Sequence, residues 1–533
     1  MGRGLIFLMW GCLAASPPAG AAPADTETNG LALIQAVRQT LELDPVIQIQ
    51  DRAVAFAEGR VQEEKGRFDA RLASAVVHEL TQRAEPISVV NTPPATGTTT
   101  SFEKFSNRET TFRVGVDQPL RSGLVVGPGL EVTRSDNNLA TVNPQNRAGV
   151  NFTVIMPLMR GLGRRAATAQ EKAAIIDYEA SLLDFQHTLS QRILNTTASY
   201  WNYLSASRQL EALVQSETRA AQLLANTRGL VQAQEVPAAE LDQLEGNLAG
   251  KTRLRISAEQ QLFEARQGLG LAIGLGFDEV DGLAPARDEF PYENGVQIPA
   301  GMSAMSLFQV AMDRRADMKA SLLLEESAST LLYLAENNLK PQVDLTLRVG
   351  YEGFDEGNQL GDATSAFVEN VEGLSGFAAL SFDWPPNNNS ARGRRAQQQS
   401  IYDRSVIRSR NLSRTIRSGL AVALQRLRSG MAELDKASRA TLYYRRAVTN
   451  EREKQRLGLA SFTDVLLVED RLTGAEIDFI QARQELANAV VELRFESGLL
   501  VDGDDTGRLI TMNALTTLPR EWWREPEPEK PAP

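Results

Sequence analysis

Residues able to do covalent or metal chemistry are scarce in this chain, and their spacing argues against an active site. His78 and His187 are the only histidines, about a hundred residues apart. Neither stands beside a carboxylate at the spacing of a metal site. The only cysteine, Cys12, lies in MGRGLIFLMWGCLAASPPAGAAPADTETNG. That segment has an early Arg3, a short apolar run from Leu5 to Ala15, and Ala19-Gly20-Ala21 as a small-residue cleavage pattern. It reads as a secretory signal peptide over residues 1–22. Cleavage after Ala21 or Ala22 leaves no thiol and no disulfide. Lipidation of Cys12 is the alternative. The chain has no G-x-S-x-G elbow and no Walker loop. We expect no enzyme, no metal and no cofactor, and structural roles for both histidines.

What remains is charge and hydrogen bonding, placed in a repeated setting. The tetrapeptide GRRA occurs in VIMPLMRGLGRRA and again in LSFDWPPNNNSARGRRA, each time where an alternating apolar segment gives way to a long polar stretch. The 533 residues are 42% apolar and only 6% aromatic, with a formal net charge of −11. The sparse aromatics and plentiful Ala, Gln, Arg and Glu favour long helices packed through small side chains. The acidic balance argues against nucleic acid as a partner, which calls for a basic face. No later segment approaches the 18 or more apolar residues of a spanning helix, so entry into a membrane would require a β-barrel.

The elements that carry these residues come twice, in the same order. We divide the chain into a first repeat at 23–283, a linker at 284–303, a second repeat at 304–505 and a tail at 506–533. Each repeat opens on an amphipathic helix, LALIQAVRQTLELDPVIQIQ and MSLFQVAMDRRADMKASLLLEE. Strands follow. Val343, Leu345, Leu347 and Val349 alternate with Asp344, Thr346 and Arg348, the period of a strand with one apolar and one polar face. GVNFTVIMP and FAALSFDW do the same. After each GRRA the pattern predicts a helix of roughly 70 residues, about 100 Å long at ~1.5 Å per residue. Ile175, Tyr178, Leu182, Phe185 and Leu189 step through the first as a heptad seam. A turn and a shorter helix close each repeat, with Pro237 expected at N1 and Ser461 at the N-cap. An opening helix from Leu31 and a closing helix from Pro237 together match one rod, so two short helices should stack end to end beside each long one. Two strands per repeat make four per chain, too few for the roughly eight of the smallest membrane barrel, so several chains would have to share one.

This layout resembles the TolC-type family of outer-membrane efflux and secretion channels. The resemblance runs from about Leu31 to Leu500. It is carried by Arg315-Ala316-Asp317-Met318 in the opening helix, Leu339-Lys340-Pro341-Gln342-Val343-Asp344-Leu345 entering a strand, Met156-Pro157-Leu158-Met159-Arg160-Gly161 leaving one, Ala198-Ser199-Tyr200-Trp201-Asn202-Tyr203-Leu204 in the rod, and Gly458-Leu459-Ala460-Ser461-Phe462-Thr463-Asp464-Val465-Leu466 at the tip. It implies a mainly α fold with a β membrane part: a homotrimer whose four strands per chain close a twelve-stranded barrel above a helical periplasmic tunnel. It also implies an exit duct joined through a periplasmic adaptor to an inner-membrane RND or ABC pump, in efflux or type I secretion. Outer-membrane lipid would surround the strands, with Val343, Leu345, Leu347 and Val349 on the lipid side. Gly458, Leu459, Ala460 and Ser461, with Val236 and Pro237 of the first tip, would meet the adaptor, and a polar ring there would close the resting tunnel. Here the sequence departs from the family. The first tip lacks the Gly-Leu pair, and the acidic position after Asp464 is Leu467. Asp464, Asp242, Glu245, Arg452 and Arg456 are therefore the gate candidates. Residues 110–136 add an extra strand pair, which we expect outside the barrel, and residues 81–109 read as a surface loop rich in Pro, Thr and Ser. The competing reading is a pore-less periplasmic coiled-coil scaffold.

Overall fold

The computed structural model describes residues 30–90, 98–138, 144–291, 302–367, 372–501 and 510–518. The expected signal peptide and most of the expected linker and tail lie outside the described residues. The first repeat runs α1 (Leu33–Leu43), α2 (Pro45–Gly66), β1 (Arg71–Val90), β2 (Thr98–Pro119), β3 (Val125–Asn137), β4 (Gln145–Pro157), α3 (Arg164–Ala167), α4 (Ala169–Gln232), α5 (Ala239–Ile273) and α6 (Phe277–Val280). The second runs α7 (Ala304–Arg314), α8 (Ala316–Asn337), β5 (Gln342–Glu356), α9 (Leu360–Ser365), β6 (Glu372–Asp383), α10 (Asn389–Arg456), α11 (Phe462–Glu496) and α12 (Met512–Thr516).

The duplication is visible in the helix lengths. α1 and α7 have 11 residues each, α2 and α8 have 22, and α5 and α11 have 35. The rods α4 and α10 have 64 and 68 residues. Each opening helix is broken rather than continuous. The break falls at Asp44 (φ −62, ψ 121) and at Arg315 (φ −66, ψ 122), both extended. Asp44 caps α2 by accepting from the N–H groups of Val46 and Ile47, and Pro45 follows at N1, where its missing donor costs nothing.

The closing helices end against these breaks. Gly274 (φ +93) follows α5, and a Cβ there would lie 2.8 Å from the carbonyl oxygen of Leu43. Gly498 (φ +73) follows α11, and a Cβ there would lie 2.8 Å from the backbone nitrogen of Arg315. The end-to-end stack beside each rod is therefore α2 with α5 and α8 with α11. α1 and α7 lie alongside, which corrects the longer stack expected from Leu31. Gly498→Ala should cost about 1–3 kcal/mol, because both the left-handed backbone and the close approach oppose a side chain. Thermal unfolding measures it, and a change below ~0.5 kcal/mol would contradict the packing.

The core follows the rods. Leu189, Ile193, Tyr200, Trp201 and Leu204 of α4 pack with Leu33 and Val37 of α1 and with Leu269 and Ile273 of α5. A second cluster joins Leu307 of α7 to Ile416, Leu420 and Leu427 of α10 and Leu486 and Leu493 of α11. The seam expected on α4 holds at Leu189, which is buried in the core, and is displaced before it. There Ala173, Ile176 and Ala180 are the buried stripe, the two alanines small enough for α8 to approach closely, whereas Ile175, Tyr178 and Phe185 are half-buried and Leu182 is exposed. Part of the expected tail also folds, since Ile510, Leu515 and Leu518 are buried and Arg494 donates to the Thr517 carbonyl.

Six strands form one antiparallel sheet in the order β1-β2-β3-β4-β5-β6. One expectation is corrected here: the sheet has six strands rather than four, because the extra pair, β2 and β3, lies in it rather than outside it. The expected loop is strand as well, in Thr81–Val90 of β1 and Thr98–Glu109 of β2, paired from Thr81↔Asn107 to Val90↔Thr98. These segments are polar, with Thr98, Thr99, Thr100 and Ser101 in a row, and Pro86 is tolerated because β1 is an edge strand. The two GRRA copies are not equivalent corners. Gly163 (φ +86) precedes α3, but Gly393 lies inside α10. Both carry an arginine onto α8: the Arg165 guanidinium sits 3.8 Å from the Tyr333 ring centroid, and Arg395 pairs with Glu336.

Candidate functional site

The sheet separates its side chains by face. Straight across the register, Ser74, Val114, Leu130, Val150, Tyr351 and Leu374 lie in one row on one face. On that same face Leu345 stands between Met156 and Leu380, Leu347 between Val154 and Ala378, and Val349 between Phe152 and Gly376, while Val343 pairs with Phe382. Among the described residues, α9 and Ala366 lie against the end of this face far from the helices, over Ala148 and Gly353, and the part nearer the helices is uncovered. Val349, Phe152, Leu374, Leu380 and Phe382 are 58%, 49%, 84%, 66% and 67% exposed. An apolar patch of this extent marks a surface made to meet something apolar.

The opposite face is polar. Arg113 pairs with Glu131 at 3.2 Å, and Arg348 donates to Thr153 and lies 5.7 Å from the Phe377 ring centroid. A cleft of about 500 Å³ lies here, lined by Glu109, Glu131, Arg147, Asn151, Arg348 and Glu352 among others. Glycines make room for those side chains to lie flat. A Cβ at Gly350 would come within 2.6 Å of the Ser375 hydroxyl, and one at Gly129 within 2.7 Å of Asn151 Oδ1. Apolar residues on one face and polar residues on the other, over the half of the sheet nearer the helices, make the pattern of a wall between lipid and water, while farther out Arg108, Arg134 and Asp136 share the apolar face.

The sheet is fixed to the helices where β2 turns into β3. Leu120 to Leu124 close this turn, with Gly123 (φ +95) so near the Gly161 carbonyl that a Cβ would lie 2.7 Å away. Arg121 grips the carboxylate of Glu171 with three bonds, Nη2 to Oε1 at 2.7 Å and Nε to Oε2 at 2.9 Å and to Oε1 at 3.2 Å, and stacks 4.8 Å from the Phe68 ring centroid. The Arg121 bonds hold the Glu171 carboxyl below its usual range. Sequence reasoning missed this pair, although an arginine opening an expected turn was the available signal.

The helical tips lie at the far end of the rods. Gly458 (φ +72) ends α10, and the Leu459 N–H donates back to the Lys454 carbonyl at 2.8 Å. Ser461 and Asp464 form a reciprocal capping box, which holds the Asp464 carboxyl below its ordinary range through the Ser461 hydroxyl and N–H. Leu459 is 75% exposed. In the first tip Gln234 takes the left-handed conformation (φ 61) that glycine takes in the second. Val236 and Pro237 lie in that turn, but Pro237 precedes the N-cap Ala238 instead of standing at N1.

Four of the five gate candidates are tied down locally. Glu245 pairs with Arg228 and Arg452 with Glu469, each pair 17 residues apart across its own hairpin, and Arg456 pairs with Glu453. Asp464 is held in its cap. Asp242 has no such partner among the described residues. The two hairpins are joined by groups the sequence reading did not single out: Lys251 to Asp470, Ser216 to Thr473 at 3.0 Å, and Gln243 to Thr463. Leu224, Leu244 and Leu466 pack beneath them.

The two histidines lie in separate parts of the fold. His78 bonds Thr110 across the strands, and His187 lies 3.8 Å from Asp317 and against the Phe495 ring. Among the described residues no group of His, Cys, Asp and Glu is placed to hold a metal. No helix among them is long and apolar enough to cross a membrane.

No protein-family model and no curated protein matches the sequence. Solved structures do match. The Campylobacter jejuni CmeC outer membrane channel superposes with a TM-score of 0.63 at 14% identity, over 92% of this chain and 90% of that one. The outer-membrane channel OprN gives 0.60 at 16% identity over 87% and 89%. The outer membrane protein VceC from Vibrio cholerae gives 0.58 at 12% identity over 87% and 96%. This chain has the fold of the outer-membrane channels. The channel fold accounts for the paired rods, the stacked short helices and the two-faced sheet. At these identities it leaves the gate and the cargo to the chain's own residues.

Proposed function

We propose that this protein is the exit duct of a tripartite efflux or type I secretion system. Three copies close one barrel in the outer membrane above a helical tunnel in the periplasm, and a periplasmic adaptor joins them to an inner-membrane pump. The uncovered apolar face of the sheet carries this reading, since a pore-less scaffold has no use for it. Two further observations support shared closure. β1 and β6 leave both sheet edges unpaired. A cleft of about 810 Å³ beside the first helix break leaves Ile49 exposed and Leu41 and Phe185 only half-buried, apolar surface open to a neighbouring copy. Conduction is passive, and the duct makes no bonds. In planar bilayers the purified protein should conduct, in small or intermittent steps. A protein that stays in the aqueous fraction and never conducts would sink the proposal.

The tips are the gate. Adaptor hairpins meet the exposed turn at Gly458, Leu459, Ala460 and Ser461, with Val236 and Pro237 beside it, and splay the two hairpins apart. The latch resisting this motion is the Lys251–Asp470 pair, in which the lysine side chain is 9% exposed and the aspartate 51%. Asp470→Asn should raise open probability at least several-fold, because it leaves a buried cation without its counter-ion in the closed state. Asp242→Asn should raise it by relieving repulsion where three copies converge. Unchanged single-channel records for both would remove the tips as the gate.

A further inference from the structure

We infer that the barrel is as wide as the helical tunnel beneath it and passes large hydrophilic cargo; this rests on the trimeric-duct reading above. The inference comes from the inserted hairpin. β1 follows α2 as β5 follows α8, and β4 precedes the first rod as β6 precedes the second. β2 and β3 therefore have no counterpart in the second repeat. They are nonetheless full members of the wall. β3 pairs with β4 from Val125↔Ile155 to Ser135↔Gln145, and their side chains keep the alternation, with Phe112, Val114, Leu130 and Val132 on the apolar face and Arg113 and Glu131 on the polar one. Their turn is fastened to the helices by Arg121, Glu171 and the Gln118 amide, which donates to the Phe68 carbonyl. An accidental excursion would need none of these bonds.

The insertion changes the width of the arc. Six strands at ~4.8 Å spacing and about 40° tilt cover roughly 38 Å of circumference, where four would cover roughly 25 Å. Each chain also contributes four helical columns, which at about 8–10 Å apart cover roughly 32–40 Å. Six strands match that arc and four fall short of it. Three copies then make an eighteen-stranded barrel with a backbone diameter of about 36 Å, against about 24 Å for twelve strands. Inward side chains take up about 10 Å of either. The lining named above is polar and charged, so the solutes it suits are hydrophilic and far larger than a drug-sized molecule.

Polymer exclusion tests this. The wild-type protein is inserted in planar bilayers, and poly(ethylene glycol) of graded size is added on the sheet side only, so that the tips do not set the limit. Polymers up to about 25 Å across should enter and lower the conductance, in keeping with the eighteen-stranded bore. A variant lacking residues 98–137, which sets β1 beside β4 with their faces in phase, should exclude polymers above about 15 Å. A wild-type cutoff near the smaller value, in a protein that conducts, overturns the inference and leaves the duct standing. Absence of conductance overturns the duct reading and this inference with it. The wild-type cutoff decides the matter even if the deletion does not fold.

Discussion

Replacing Leu345 and Leu347 together with arginine should abolish assembly into the membrane while leaving the helical body able to fold. Both leucines lie on the uncovered face, Leu345 beside Met156 and Leu380 and Leu347 beside Val154 and Ala378. If lipid meets that face, each arginine costs roughly 2–4 kcal/mol near the midplane, so the pair removes about 4–8 kcal/mol from insertion. The control is Thr346→Arg on the same strand, which points to the polar face and should insert normally. Membrane fractionation reads both. Equal behaviour of the two variants would favour the scaffold, whose sheet would be wet on both sides.

The second large effect lies where the repeats meet. Arg315 is 8% exposed and stands at the break between α7 and α8. It binds Asp317 Oδ2 at 2.8 Å and Glu496 Oε2 at 2.7 Å, and lies 5.3 Å from the Phe495 ring centroid. His187 and Asp184 of the first rod face the same cluster. Burial pushes the Asp317 carboxyl up, but the Arg315 bonds more than offset this and hold it below the ordinary range. Burial leaves the Glu496 carboxyl above its usual range despite Arg315. Arg315→Ala strands two half-buried carboxylates, a loss of about 3 kcal/mol. Lysine should rescue little, because a single ammonium cannot hold both partners as the planar guanidinium does.

The pH dependence has a definite sign. In the wild type, Asp317 contributes stability that is fully present above the ordinary aspartate range and lost only as pH falls through its depressed pKa. Glu496 and Asp184, both raised, work the other way and favour the fold as they protonate. The penalty of Arg315→Ala should therefore be largest near neutrality and shrink on acidification, as the stranded carboxylates take up protons. Denaturant unfolding at neutral and acid pH checks this, and a penalty that grows with acid would contradict it.

Much of this architecture was legible because its signals are periodic. The alternation of Val343, Leu345, Leu347 and Val349 against Asp344, Thr346 and Arg348 fixed a two-faced strand, and the proline-free stretches after each GRRA fixed the rods. The strands of the extra hairpin were legible too, as Phe112, Val114, Leu130 and Val132. Their membership of the sheet was not, because Arg121 and Glu171, which fasten them, stand 50 residues apart. The outer halves of β1 and β2 were hidden by polarity, since a stretch rich in threonine, serine and proline looks like loop until a partner strand supplies the ladder. The displaced seam on α4 arose from weighing large residues over small ones: Ala173 and Ala180 are buried because they are small. At the tips the sequence supplied the charged residues but not their partners. Arg228 with Glu245 and Arg452 with Glu469 recur at one spacing in both hairpins, and that shared spacing was the signal in the residues themselves that marks all four as hairpin ties.

Thiol scanning of β5 tests the central claim most directly. The chain's one cysteine, Cys12, is replaced by serine, and single cysteines are set in turn at positions 343 to 350 of the membrane-assembled protein. A membrane-impermeant thiol reagent should label positions 344, 346 and 348, while a bilayer-confined quencher should reach fluorophores at 343, 345, 347 and 349. Water access at every position, with no quenching at the odd ones, would mean that the apolar face does not meet lipid and that the protein is not a membrane duct.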